Sequence, residues 1–166
     1  MSSSVRFEGE VPGEEVVNPS APSKVWISRH IRAHVQSQLY DESSAPAEGT
    51  AIYTLSDPRE IRAARYVGQT TAPRRRLLQH LNTARLWMPD EIPWWVRSPD
   101  LRPLYVWIRD LYSDGERLPT MVVHEWCATQ ARARVAERAL ICECLRQQLP
   151  LFNSEAGMLA GRPPLI

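Results

Sequence analysis

The stretch from residue 51 to residue 80, AIYTLSDPREIRAARYVGQTTAPRRRLLQH, decides how the rest of the chain is read. Ala51 to Leu55 is a short run of strand-favouring residues, and Ser56-Asp57-Pro58 turns the chain. Arg65 to Gln69 reads as a second strand, which makes an antiparallel hairpin with an irregular connection. Thr70 or Thr71 stands where a helix cap belongs, and Pro73 suits a first helical turn. Leu77, Leu78, Leu81 and Ala84 then recur as the apolar stripe of a helix. Arg76 and His80 are four apart, so they share one side of that helix at the rim of its buried face. A guanidinium there grips a phosphate with its planar fork, and an imidazole accepts a proton or holds a hydroxyl.

Outward from this stretch the elements follow in order. Upstream, Ile27, Ile31, His34, Val35 and Leu39 repeat at helical intervals, which predicts a helix from Ser23 to about Tyr40, packed on the domain or on a partner. Residues 1–22 are rich in Ser, Pro, Gly and Glu and read as a disordered tail, and residues 41–49 read as a linker. Downstream, residues 87–99 carry three prolines and three tryptophans and read as a loop. Leu104, Trp107, Ile108 and Leu111 mark a helix over Leu101 to Tyr112, with Gly115 at its exit. Thr120 to Trp126 is a third strand, and a last helix covers roughly Ala128 to Gln148, stopped by Pro150. The expected fold is α+β: a small three-stranded mixed or antiparallel sheet flanked by helices, in the order β-β-α-α-β-α, with an N-terminal helical extension over residues 23–49. The compact domain spans 50–155, with a C-terminal tail over 156–166.

Composition sets wide bounds. Hydrophobic content of 43% and a net charge of +1 describe an ordinary globular chain. The charge is unevenly spread: residues 59 to 85 hold seven arginines against one acid, Glu60. Phosphate is the simplest partner of such a patch, although a solvated arginine face would look the same. Three cysteines form no recurring pair, which fits a reducing compartment. No apolar run nears the roughly 18 residues of a membrane span. With no secretory signal at the start, the reading is cytoplasmic, with no membrane partner.

Glu137 is the notable acid. Ala133, Leu140, Ile141 and Cys144 share its side of the last helix, so its carboxylate stands inside an apolar stripe. Such a group must be paired, protonated or bound to metal. A salt bridge to one of the arginines and a hard divalent cation are the two accounts. Glu143 points to the polar side with Arg132 and Arg146 and is set aside. Tyr53 and Tyr66 are ambiguous alone, since strand aromatics usually pack in a core.

Order and spacing lift these residues together, and residues 51 to 153 resemble the GIY-YIG nuclease domain. Ala51-Ile52-Tyr53 stands for the first signature, with alanine in place of the initial glycine. Tyr66-Val67-Gly68-Gln69-Thr70 stands for the second, with valine in place of isoleucine. Arg76 follows Tyr66 by ten residues and His80 by four more; Glu137 with Ile141 matches the acidic helix, and Leu151-Phe152-Asn153 the closing asparagine. The resemblance implies a DNA endonuclease that hydrolyses phosphodiesters at one Mg²⁺ or Mn²⁺. Glu137 would be the metal ligand, and Tyr53, Tyr66, Arg76, His80 and Asn153 would complete the catalytic set. In that scheme Tyr53 sits beside the attacking water as general base or as its orienter, and the base role requires Arg76 and the cation to lower its pKa. Arg65, Gln69, Thr70, Arg74, Arg75, Trp94 and Trp95 are candidates for contacting nucleic acid. Two rival readings stay open: a non-catalytic binding module on the same fold, and a nuclease subunit active only within an assembly, docked through its N-terminal helix.

Overall fold

A computed structural model describes residues 23–38, 48–88, 93–99, 102–154 and 156. The expected tail over 1–22, most of the linker over 41–49, Leu39 and Tyr40 at the end of the first helix, and nearly all of the tail over 156–166 lie outside them. Within the described residues the fold is α+β, with one three-stranded sheet and four α-helices.

The sheet is antiparallel throughout, in the order β2-β1-β3, where β1 is Thr50–Ser56, β2 is Ala64–Thr70 and β3 is Thr120–Cys127. Every residue of β1 is buried because it is the middle strand and helices cover both faces. Ala51 pairs with Thr70 and Trp126 in ordinary extended backbone, so no glycine is needed at this position. Between Ile52 and Tyr53 the pairing with β3 slips, leaving His124 as an extra residue. Its Nε2 lies 2.9 Å from Thr54 Oγ1.

One face of the sheet carries three helices. α1 (Lys24–Ser37) begins at Ser23, whose hydroxyl accepts from the Trp26 N–H. Its Ile27, Ile31 and Val35 are buried in the same core as Tyr53, Leu55, Leu77 and Ile108. His34 Nε2 lies 2.8 Å from the Pro119 carbonyl oxygen, and Gln38 Oε1 accepts from the Met121 N–H at 3.1 Å, tying the helix end to the start of β3. Of the two packings expected for α1, the described part of its apolar stripe takes the one on the domain's own core.

α2 (Pro73–Thr83) has Ala72 at its cap position with no side-chain cap; Thr70 Oγ1 instead accepts from the Ala72 N–H at 3.1 Å, and Pro73 occupies the first turn. Its far end is closed by Arg109 of α3 (Arg102–Ser113), which donates to the carbonyls of Ala84, Arg85 and Met88 at 2.8, 2.6 and 3.1 Å. Gly115 leaves α3 at φ 103°, a conformation that favours glycine. Within the expected loop, Trp94–Arg97 coil into a single 3₁₀ turn.

The other face belongs to α4 (Gln130–Arg146), whose Ala133, Ile141 and Cys144 pack on Ile52 and Val67. Beyond it the chain returns along the outer edge of β2, where the Phe152 N–H donates to the Arg65 carbonyl at 2.7 Å. Among the described residues no helix is long and apolar enough to cross a membrane.

Candidate active site

Strand alternation sends Tyr53 and Ile52 to opposite faces of the sheet. Tyr53 therefore joins the α1–α2–α3 side, and its pairing partner across the hairpin is Gly68. The phenol lies directly over that glycine: a Cβ at position 68 would stand 2.5 Å from the Tyr53 oxygen and 2.6 Å from Cζ. A side chain at 68 would exclude the ring, so the glycine of the second motif makes room for the tyrosine of the first.

Three groups meet at this phenol. His80, buried on α2, places Nε2 at 2.8 Å from the Tyr53 oxygen. Arg76, one turn earlier, donates from Nε at 3.4 Å. Tyr66 sets its ring 6.3 Å from that of Tyr53 and edge-on to His80 at 5.5 Å. The four side chains named from β1, β2 and α2 are thus in one cluster. A fifth, Tyr105 of α3, was not anticipated; its oxygen is 3.4 Å from His80 Nδ1, so both imidazole nitrogens face a phenol. The signal lay in the α3 pattern, where Tyr105 shares a side with Ile108 and Tyr112 and so turns inward.

Burial governs the protonation states. His80 is held down to about 3, first by desolvation and then by the Arg76 charge, so its imidazole is neutral at ordinary pH. Tyr53 is pushed well above its usual value by burial and by neighbouring Tyr66, and the opposing pull of Arg76 is the smaller effect. Arg76 alone does not give the lowered pKa that a general-base role requires: desolvation outweighs the single guanidinium. Tyr66 is raised by burial too, against Arg76, with a further push from Glu137.

Glu137 takes a position the sequence did not reveal. α4 covers the opposite face of β2 from Tyr66, and Glu137 Oε2 accepts a hydrogen bond from Gln69 Nε2 at 2.8 Å. Gln69 Oε1 in turn accepts from Gln130 Nε2 at 2.7 Å. The carboxylate is half-buried, and Tyr66 feels its charge across the strand. Tyr53 lies over Gly68 and Glu137 is bonded to Gln69, so the two parts of the site abut consecutive residues of one strand. Among the described residues no group of three or more His, Cys, Asp and Glu is assembled. A single carboxylate suits a hard divalent cation that keeps most of its water, rather than one caged by protein.

Asn153 works at the same strand. Its Oδ1 accepts from the Val67 N–H at 2.9 Å and its Nδ2 donates to the Val67 carbonyl at 2.8 Å. It thereby satisfies the outward-facing backbone of β2 one residue before Gly68, and touches no other member of the cluster in these bonds. The proposed nucleic-acid contacts divide. Arg65 is engaged structurally, donating to the Pro150 carbonyl and lying 4.5 Å over the Phe152 ring. Arg74 donates to the Gln38 carbonyl at 3.5 Å, Thr70 supports the start of α2 and Gln69 holds Glu137. Arg75 and Trp94 are exposed. Trp95 is corrected to a core residue: it is 1% exposed and donates from Nε1 to the Thr83 carbonyl, so no base reaches its face. Comparison with family models, curated proteins and solved structures gives no match to this chain.

Proposed function

We propose that the chain is a metal-dependent DNA endonuclease of the GIY-YIG type, hydrolysing phosphodiester bonds at the edge of β2. The observation that supports this most directly is the Tyr53 hydroxyl, set between Arg76 Nε and His80 Nε2 above Gly68. Such a group is over-built for a core: a buried imidazole, two phenols and a half-buried cation cost more to desolvate than leucines would.

In this reading the Arg76 fork grips the scissile phosphate and offsets charge developing on its oxygens. Tyr66, half-buried beside it, donates a hydrogen bond to the same group. Tyr53 is wholly covered while the Arg76 side chain rests against it, so a water meets the hydroxyl only once the guanidinium has turned to a phosphate. Because the phenol resists ionising, it works as an orienter. Its hydroxyl donates to the neutral His80 Nε2 and accepts a hydrogen bond from the attacking water, whose proton leaves to bulk water as the new bond forms. Tyr105 accepts a hydrogen bond from the Nδ1–H and so leaves Nε2 as the acceptor for Tyr53. The water oxygen bonds to phosphorus as the bond to the leaving sugar oxygen breaks. Glu137 is the residue that would hold Mg²⁺ or Mn²⁺, which supplies Lewis-acid neutralisation of the phosphate and the departing oxygen.

Plasmid nicking tests the proposal. The full chain should convert supercoiled DNA to open circle with Mg²⁺ or Mn²⁺ and not with EDTA, and Arg76→Ala should lower the rate at least about a hundredfold. A wild-type rate in Arg76→Ala, or no nicking with either ion on duplex, branched or single-stranded DNA, would leave only a binding module.

A further inference from the structure

On the side of α2 turned away from the cluster lies a cavity of about 530 Å³, bounded by α1, α2 and the segment that carries the 3₁₀ turn. Leu78 and Asn82 line it, and each is two residues from His80, about 200° around the helix. The cavity is therefore separate from the phenol site. Its rim carries three cations, Lys24, Arg32 and Arg85, and two indoles, Trp87 and Trp94. No carboxylate is among the described lining residues, and none of their ion pairs involves these cations.

The indoles are held in place. Lys24 Nζ sits 5.3 Å from the centre of the Trp87 ring, a cation–π contact that orients both. Trp94 is 60% exposed, yet it belongs to a tight turn anchored by its buried neighbour Trp95. A large apolar ring presented to solvent on a tight turn, beside cations with no acid among the described lining residues, matches a ligand that joins a flat π-face to a negative charge. The volume falls within the range of small-ligand sites, about 300–1,000 Å³.

We propose that this cavity binds a nucleotide unit, its base against Trp94 and its phosphate among Lys24, Arg32 and Arg85. The unit comes either from a free nucleotide or from a single strand passing over α2. The inference uses none of Tyr53, His80 and Glu137, so it stands or falls apart from the nuclease reading.

The test is fluorescence anisotropy with the full chain in EDTA, where metal-dependent cleavage plays no part. The probes are a labelled short oligothymidylate and an abasic strand of equal length and charge. Wild type should prefer the thymidylate, and Trp94→Ala should weaken that binding about tenfold while leaving the abasic strand unaffected. The double variant Lys24→Gln/Arg32→Gln should weaken both probes and flatten the salt dependence. Thymidine monophosphate that competes as well as the oligonucleotide assigns the site to free nucleotides; competition only by the strand assigns it to single-stranded nucleic acid. Equal affinity for both probes, or a Trp94→Ala variant with wild-type melting and undiminished thymidylate binding, overturns the proposal.

Discussion

The Tyr53 oxygen and the α-carbon of Gly68 are packed so closely that no side chain fits between them. The strands meet in register at this pair, so the glycine is matched to the tyrosine opposite.

Gly68→Ala should therefore displace the phenol from His80 and Arg76. The ring is fully buried and the added Cβ would stand 2.5 Å from its oxygen, so the overpacking should cost about 1–3 kcal/mol. Urea unfolding should show a lower midpoint with an unchanged slope, and any nicking activity should vanish with it. A variant of wild-type stability would show that the ring tilts away without cost.

Glu137→Gln keeps the shape of the side chain and removes its charge. Its stability should stay within about 0.5–1 kcal/mol of wild type, since the group is half-buried and an amide rotamer still offers an oxygen to Gln69. Nicking should fall by at least about a hundredfold in Mg²⁺. A wild-type rate would remove Glu137 from the proposed metal site.

His80 gives the fold a defined acid sensitivity. Its folded pKa is lowered from 6.5 to about 3 by burial and by Arg76, so between these values the unfolded chain binds the extra proton. Its contribution is fully present above pH 6.5 and is lost as pH falls toward 3, with a slope of at most about 1.4 kcal/mol per pH unit. His80→Gln cannot take up that proton. Its unfolding free energy, measured from pH 7 to pH 4, should fall less steeply than that of wild type; parallel curves would contradict a neutral buried imidazole.

Asn153→Ala removes both hydrogen bonds to the Val67 backbone at the outer edge of β2. The cost should be about 1–3 kcal/mol, because the freed N–H and C=O are part-buried. Hydrogen exchange should quicken at the Val67 amide and leave Thr54 in the central strand protected. Uniform loss of protection along the sheet would mean that the asparagine secures the whole fold.

Much of the scaffold was legible because its causes are local. Periodicity of two and of 3.6 residues located all three strands and the four helices, with ends displaced by one or two residues and more at α1, since those patterns report which positions meet a core. The four-residue spacing of Arg76 and His80 placed them on one side of α2 before any packing was known. Trp94 and Trp95 were inseparable by that logic: in a 3₁₀ turn adjacent side chains diverge by about 120°, so one is sealed in the core and its neighbour faces solvent.

The sequence alone determined the elements, their order and the placement of Arg76 and His80 on one side of α2, because each follows from alternation or helical spacing within a short stretch; the grouping with Tyr53 and Tyr66 was implied by the resemblance. Only the tertiary structure decided that Tyr105 closes the far side of His80, that Gln69 holds Glu137 across the strand, and that Tyr53 is too deeply covered to ionise readily. Those outcomes depend on which sheet face each helix covers and on how much water is left between them. Both are properties of chain segments far apart in sequence, and no local pattern carries them.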